Sequence, residues 1–125
     1  MQNQQTEKSS KNEIGSSSEM DQCIKNCLDC FRVCEETLAR SFFEGSHNNS
    51  SHLILLKLCA DICQTSAKFM MMKSKFHTDT CGVCSKVCSE CADSCEALGD
   101  ESMKDCIVSC RKCAESCNEM SKMHH

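Results

Sequence analysis

The amino-acid sequence predicts an all-α fold, an antiparallel up-down-up-down four-helix bundle with a core lined by cysteine. Four segments of about 20 residues repeat cysteine at intervals of three or four positions, and short turns separate them. Because residues three and four apart lie on one face of an α-helix, each segment presents its cysteines as a single stripe. The chain also contains no proline, the strongest helix breaker.

The predicted helices run from about Met20 to Phe43, from His52 to Lys75, from Asp79 to Leu98 and from Glu101 to Met123. The predicted N-caps are Ser50 or Ser51, Thr78 and Asp100. Gly45 and Gly99 suit the residue that follows a helix C-terminus. Residues 1–19 are rich in polar side chains that cannot bury enough apolar surface to offset ordering, so they are predicted to form a disordered tail. Residues 20–125 then form one bundle domain.

Cysteine supplies the core that other apolar residues do not. Leu, Ile, Val and Phe together make up only 21 of the 125 residues. A reduced cysteine packs as a small hydrophobic residue, and its spacing here is that of the core-facing positions of a bundle. The four stripes contain Cys23, Cys27, Cys30 and Cys34, then Cys59 and Cys63, then Cys81, Cys84, Cys88, Cys91 and Cys95, and finally Cys106, Cys110, Cys113 and Cys117.

Charge and composition exclude several classes of function. The net charge is -4 and the basic residues are scattered, which argues against a nucleic-acid partner. The first 19 residues resemble neither a secretory signal nor a membrane anchor, so we expect a cytoplasmic protein whose thiols stay reduced and which has no membrane partner. No nucleophile–base pair or carboxylate dyad stands out, so we do not expect an enzyme.

Three uses of the thiols compete with metal binding. Packing alone is disfavoured because leucine packs better and does not oxidise. A disulfide scaffold is disfavoured because 15 is odd, and because neighbouring Cβ atoms on one helix face lie about 5–6 Å apart, farther than a disulfide allows. Thiol redox chemistry stays open, because CxxC pairs such as Cys27/Cys30 and Cys110/Cys113 resemble redox motifs, although no βαβ pattern surrounds them.

Metal binding accounts best for the density of thiols. Thiolate is a soft ligand that selects Cu(I), Zn(II) or iron–sulfur clusters. Two sulfurs one helical turn apart can close on a Cu(I) ion, whereas Zn(II) needs four ligands converging from at least two helices. If each Cu(I) takes two sulfurs and each sulfur serves two ions, the ratio approaches one ion per thiol and the charges nearly cancel. Multiple Cu(I) ions are favoured, and a zinc or general heavy-metal buffer stays the alternative.

The stretches CIKNCLDCFRVC, CADIC and CGVCSKVCSECADSC…CIVSCRKCAESC resemble the bacterial copper storage proteins, in particular their cytosolic branch. The resemblance covers about residues 20–120. It implies a four-helix bundle whose cysteines point inward and bind many Cu(I) ions, which is storage rather than catalysis. It also implies a homotetramer.

One end of the bundle departs from the pattern of the family it resembles. Thr37 and Ser41 continue the first cysteine stripe, and His52 and Met103 precede the second and fourth stripes. Cytosolic relatives tend to carry cysteine at these positions, and an up-down bundle places all four at the same end. The departures imply an entrance where His52 and Met103 act as weaker copper ligands, with His47 in the adjoining loop.

The opposite end offers further soft ligands that the sequence leaves undecided. They are Met20, Met70, His77, Met120 and His124. Methionine on a core-facing stripe is more often packing than ligand, and a surface histidine is usually only solvated. Met71 and Met72 are adjacent, so they cannot both face the core.

Overall fold

The computed structural model describes residues 14–44 and 49–123, and these form an all-α bundle. Its helices are α1 (Ile14–Glu44), α2 (Ser50–Met71), α3 (His77–Leu98) and α4 (Lys104–Ser121), with a short 3-10 helix (Glu101–Met103) before α4. Each helix packs against the two that neighbour it in a ring, because α1 contacts α2 and α4, and α3 does the same. Short connections make successive helices antiparallel. The predicted four-helix bundle is therefore confirmed.

Helix α1 begins at Ile14 rather than at Met20. Ser18 and Glu19 are exposed, so they extend the helix into solvent without needing a partner surface. Nothing in this stretch breaks a helix as proline would. Residues 1–13, and Gly45 with its expected role after α1, lie outside the described residues, so those parts of the prediction stay predictions.

The start of α2 is capped by Asn49, and not by Ser50 or Ser51 as predicted. The side chain of Asn49 accepts a hydrogen bond from the backbone N–H of His52 at 3.1 Å. Asn49 has an extended backbone, as an N-cap requires, whereas Ser50 already belongs to the helix. Several N-cap residue types stand side by side here, and the sequence alone did not decide among them.

The turn between α2 and α3 is longer than predicted, because α2 ends at Met71 rather than at Lys75 and α3 begins at His77 rather than at Asp79. Lys73 has a left-handed backbone with φ of 55°, and the N–H of Ser74 bonds to the carbonyl of Phe69 at 3.0 Å. This hydrogen bond closes a Schellman-type end, so α2 stops at Met71. Thr78, the predicted N-cap of α3, lies inside that helix, which begins at His77.

The turn between α3 and α4 agrees with the prediction at two positions. Gly99 follows α3 in the left-handed conformation, with φ of 64°. Asp100 then caps the 3-10 helix by accepting a hydrogen bond from the N–H of Ser102 at 3.0 Å. The chain therefore reverses between α3 and α4 within a few residues.

The interior of the bundle consists mostly of sulfur. All fifteen cysteines are fully buried. Larger side chains fill the two ends of the core, where Leu56 and Met103 lie at one end and Met70 and Met120 at the other. Among the described helices, none combines the length and apolarity needed to cross a membrane.

We expect Gly99→Ala to lower the free energy of unfolding by about 1 kcal/mol, because a left-handed backbone is strained in any residue with a Cβ atom. Gly82→Ala is the matched control, since Gly82 lies inside α3 and a Cβ there meets Ser121 Cβ at an ordinary 3.7 Å. That control should stabilise the fold by about 0.5–1 kcal/mol. Urea unfolding of the reduced, metal-free protein measures both changes. Equal effects of the two substitutions would contradict the assigned turn.

Candidate metal centre

The cysteine sulfurs of the core form five clusters, in each of which every Sγ lies within 4.8 Å of the others. The clusters are Cys23, Cys81 and Cys117; Cys27, Cys84, Cys113 and Cys117; Cys30, Cys63, Cys88 and Cys113; Cys30, Cys34, Cys59 and Cys110; and Cys34, Cys91, Cys106 and Cys110. Each cluster draws its sulfurs from three or four helices. The stripes predicted on separate helices therefore converge on common points.

Neighbouring clusters share cysteines, so they form one continuous column along the bundle axis. Cys117 belongs to the first two clusters, and Cys113 to the second and third. Cys30 joins the third cluster to the fourth, and Cys34 joins the fourth to the fifth. Cys95 extends the column, because its Sγ lies 3.5 Å from that of Cys106. We call this arrangement of all fifteen cysteines the thiol column.

The spacing of sulfurs in the thiol column suits metal ions better than disulfides. Contacts between helices range from 3.5 Å for Cys63 and Cys88 to 3.9 Å for Cys30 and Cys59. All fifteen cysteines are free. Two ligands at the Zn–S distance of about 2.3 Å stand about 3.8 Å apart in a tetrahedron. A linear pair around Cu(I) needs somewhat more than 4 Å, which the separations of up to 4.8 Å include.

Protons stay on most of these thiols while no metal is bound. Contact with Cys106 is the largest of the effects that raise the pKa of Cys34, and burial adds to it. At Cys81 a hydrogen bond with Cys117 lowers the pKa, but contact with Cys23 and burial outweigh it and raise the pKa to about 12. S–H donation, first from Cys110, lowers the pKa of Cys30, so the thiols share protons unevenly.

One end of the thiol column, which we call the His52 end, is formed by Thr37, Ser41, His52 and Met103. All four side chains are buried, at 5% exposure or less. The Thr37 hydroxyl donates to the Val33 carbonyl at 2.7 Å, and the Ser41 hydroxyl donates to the Thr37 carbonyl at 3.0 Å. These two hydroxyl groups therefore serve their own helix, which leaves His52 and Met103 as the soft donors among the four.

His52 lies within hydrogen-bond distance of Ser94, a residue that no sequence motif indicated. Its Nδ1 is 2.8 Å from Ser94 Oγ on α3. Ser94 stands three positions after Cys91, a spacing that could have placed it beside the column. This contact fixes the ring against α3, and a hydroxyl can serve as donor or acceptor there.

The other end, the His77 end, is formed by Met20, Met70, His77 and Met120. Met70 is fully buried, Met120 and His77 are at most 2% exposed, and Met20 is partly buried. Met71 and Met72 are 52% and 75% exposed, so neither faces the core. His47 and His124 lie outside the described residues.

The sequence profile of a family described as Csp, copper storage protein, matches residues 16–122. The chain belongs to this family. The resemblance drawn from the cysteine stretches is thus confirmed, and copper storage is a binding function rather than catalysis. The match spans the whole thiol column and both of its ends.

Solved structures share the fold of this member of the copper storage family. The Nmul_A1745 protein from Nitrosospira multiformis has a TM-score of 0.81 and 37% identity, covering 86% of this chain and 99% of its own. The Cu(I)-bound copper storage protein BsCsp3 has a TM-score of 0.78 and 30% identity, covering 82% and 98%. A further relative, the uncharacterized cysteine-rich protein YhjQ of Bacillus subtilis (strain 168), is 32% identical over 74 residues, which are 58% of this chain and 68% of that protein.

Proposed function

We propose that this protein stores multiple Cu(I) ions in the cytoplasm by binding them to the thiolates of the column. The observation that carries the proposal is the set of interlocked clusters, since fourteen of the fifteen buried free thiols belong to groups whose sulfurs lie within 4.8 Å of one another. The Cu(I)-bound relative has the same fold and 30% sequence identity. A sulfur shared by two clusters can bridge two ions, which is the arrangement that approaches one copper ion per thiol.

Charge balance supports a monovalent ion in this interior. Each bound Cu⁺ displaces the proton of a thiol, and a thiolate that bridges two ions leaves little net charge in the core. A column filled with divalent ions at the same ratio would bury a large positive charge, which is costly. Storage of many ions without unfolding is therefore easier with Cu(I).

Zinc or general heavy-metal buffering is the second candidate, and the four-thiol clusters favour it. Cys30, Cys63, Cys88 and Cys113 come from four different helices and converge on one point, as a tetrahedral ion requires. Because neighbouring clusters share sulfurs, adjacent zinc ions would compete for the same ligands. A zinc-filled column would saturate at about four ions per chain, given four sulfurs for each ion.

Anaerobic titration of the reduced protein with Cu(I), in competition with a chelator, should load many ions per chain and release protons as it proceeds, because most of the thiols begin protonated. The circular dichroism spectrum should be helical before loading and after it. Parallel titration with Zn(II) at equal free metal is the control and should load fewer ions. Saturation at only one or two Cu(I) ions per chain, or tighter binding of zinc, would refute copper storage.

We further propose that copper exchanges through the His52 end, with His52 and Met103 as its ligands. Both residues are buried at the end of the column, where Met103 precedes Cys106 by three positions and His52 contacts Ser94, the sequence neighbour of Cys95. Imidazole and thioether are neutral ligands, so they hold Cu(I) less strongly than thiolates and release it more readily.

The double variant His52→Gln, Met103→Leu should load and release copper more slowly while keeping nearly the full capacity, since all fifteen cysteines remain. Stopped-flow transfer to and from a chromophoric chelator measures both rates. Thr37→Ser is a matched control at the same end, because serine preserves the hydroxyl group. Unchanged rates in the double variant would rule out ligand exchange at these two residues.

A homotetramer is proposed from the family resemblance and from an apolar groove on the outer face of α1 and α2. The groove is lined by Leu38, Phe42, Leu53, Ile54, Lys57 and Leu58. Ile54 and Leu58 are 58% and 51% exposed, and an exposed cluster of this kind marks an association surface.

Leu58→Glu should lower the oligomeric state, because it places a charge inside the proposed contact. Sedimentation velocity on the reduced protein measures the change. Val83→Glu, at a similarly exposed position on α3, is the control and should leave the assembly intact. A wild-type chain that sediments as a monomer would contradict the tetramer.

A further inference from the structure

The His77 end carries a layer of soft, neutral donors that storage in the thiol column does not by itself require. The outermost thiol cluster at this end is Cys23, Cys81 and Cys117. One helical turn farther out, the same stripes carry Met20, His77 and Met120, and α2 adds Met70. Every helix of the bundle thus contributes one soft donor to a layer beyond the last thiols.

Methionine is distributed unevenly between the two ends. Of the seven methionines that the structure describes, six lie at or beside the His77 end, namely Met20, Met70, Met71, Met72, Met120 and Met123. Only Met103 lies at the His52 end. Packing alone would not require thioethers at one end and hydroxyl groups at the other. The exposure of these six side chains falls from that of Met71 and Met72 at the surface to that of fully buried Met70, so thioethers occur at several depths between solvent and the thiols.

The ring of His77 is fixed in the tautomer that a metal ligand needs. Its Nδ1 lies 2.8 Å from the carbonyl oxygen of Ser74, and a carbonyl only accepts hydrogen bonds. The hydrogen therefore sits on Nδ1, and the neutral ring carries its lone pair on Nε2. Donation of one ring N–H to a backbone carbonyl is the usual support of a histidine that binds metal through its other nitrogen.

The two histidines at the column ends differ in whether a hydrogen bond fixes the tautomer of the ring. His52 faces a serine hydroxyl, which leaves both of its tautomers possible. His77 contacts a backbone carbonyl in the turn that follows the Schellman-type end of α2. Only the His77 end thus combines a predefined imidazole ligand with several buried thioethers.

We propose that the His77 end is a second Cu(I) site, in which Nε2 of His77 and the thioethers of Met70 and Met120 receive incoming ions. The site passes them to the cluster of Cys23, Cys81 and Cys117. This inference rests on the proposed storage function and adds an uptake site to it. Together with the His52 end, it gives the column two openings of different ligand chemistry.

Transfer from this site to the thiols has a direction. The copper–nitrogen and copper–thioether bonds break, copper–thiolate bonds form, and each thiol that becomes a ligand loses its proton to solvent. No electron is transferred, so the ion stays Cu(I). An ion on neutral ligands keeps its full positive charge, whereas thiolates neutralise it, and burial therefore favours the move inward.

Nuclear magnetic resonance of the ¹⁵N-labelled, reduced full chain tests the site directly. Before copper is added, the His77 ring should show the tautomer protonated at Nδ1. As Cu(I) is titrated in as a chelator complex, the Nε2 signal of His77 should shift once the thiol column is nearly full, because ions that reach the site earlier pass on to the thiols. A His77 ring that stays unchanged through full loading would overturn the proposal.

Kinetics test the role of the site in uptake. The variant His77→Gln, Met120→Leu keeps side-chain volume and all fifteen thiols, and we expect it to take up Cu(I) several-fold more slowly. It should also lose about one weakly held ion per chain, because an imidazole with its neighbouring thioethers provides the ligands of a single site. The control is Thr37→Ser, a conservative change at the other end that alters no proposed ligand, because the Thr37 hydroxyl donates to the Val33 carbonyl of its own helix. Thermal unfolding of both metal-free variants reports any damage to the fold.

The outcomes separate this inference from the storage function. If the wild-type chain stores many ions while the His77 variant matches it in uptake rate and capacity, the second site is refuted and storage stands. If the His77 signal shifts but the chain binds only one or two ions, the site stands and storage fails. Slower uptake in the His77 variant than in the Thr37→Ser control supports the proposed direction of transfer.

Discussion

The structure depends on the double character of the cysteine side chain. A protonated thiol is a small apolar group that packs in a core, and the same group without its proton is a charged ligand. Fifteen of them fill the interior of the bundle with no exposure to solvent. The raised pKa of thiols such as Cys34 and Cys81 keeps them in the apolar form until a metal ion replaces the proton. Packing and binding therefore use the same atoms.

The ends of the column differ from its middle in the side chains that fill the core. In the middle, sulfur contacts sulfur across every helix pair of the ring, and the surroundings are uniform. At the ends, each helix must finish, and its last core positions hold larger or hydrogen-bonding side chains. Thr37 satisfies its hydroxyl group on its own helix, whereas His77 uses a backbone carbonyl of the preceding turn. These local bonds determine which end residues can offer a lone pair to an ion.

The sequence was sufficient to predict the bundle, its antiparallel order and the inward direction of all fifteen cysteines, because a three-and-four spacing has one outcome on a helix. It could not predict which sulfurs meet, since that depends on the rotation and stagger of four helices. The choice of Asn49 over Ser50 as a cap depends on where the backbone first turns helical. The contact of His52 with Ser94 joins two helices, and no spacing within one helix reports it.

Cys34 belongs to two clusters, and this has a consequence for how the column fills. When an ion in one cluster removes the proton of Cys34, the resulting thiolate also faces the next cluster. The neighbouring position then meets a ligand that is already charged, so each occupied position prepares the adjacent one. Loading would thus be cooperative between neighbouring clusters and would spread along the column from the first bound ion. Partly loaded molecules would hold one contiguous filled block rather than scattered ions.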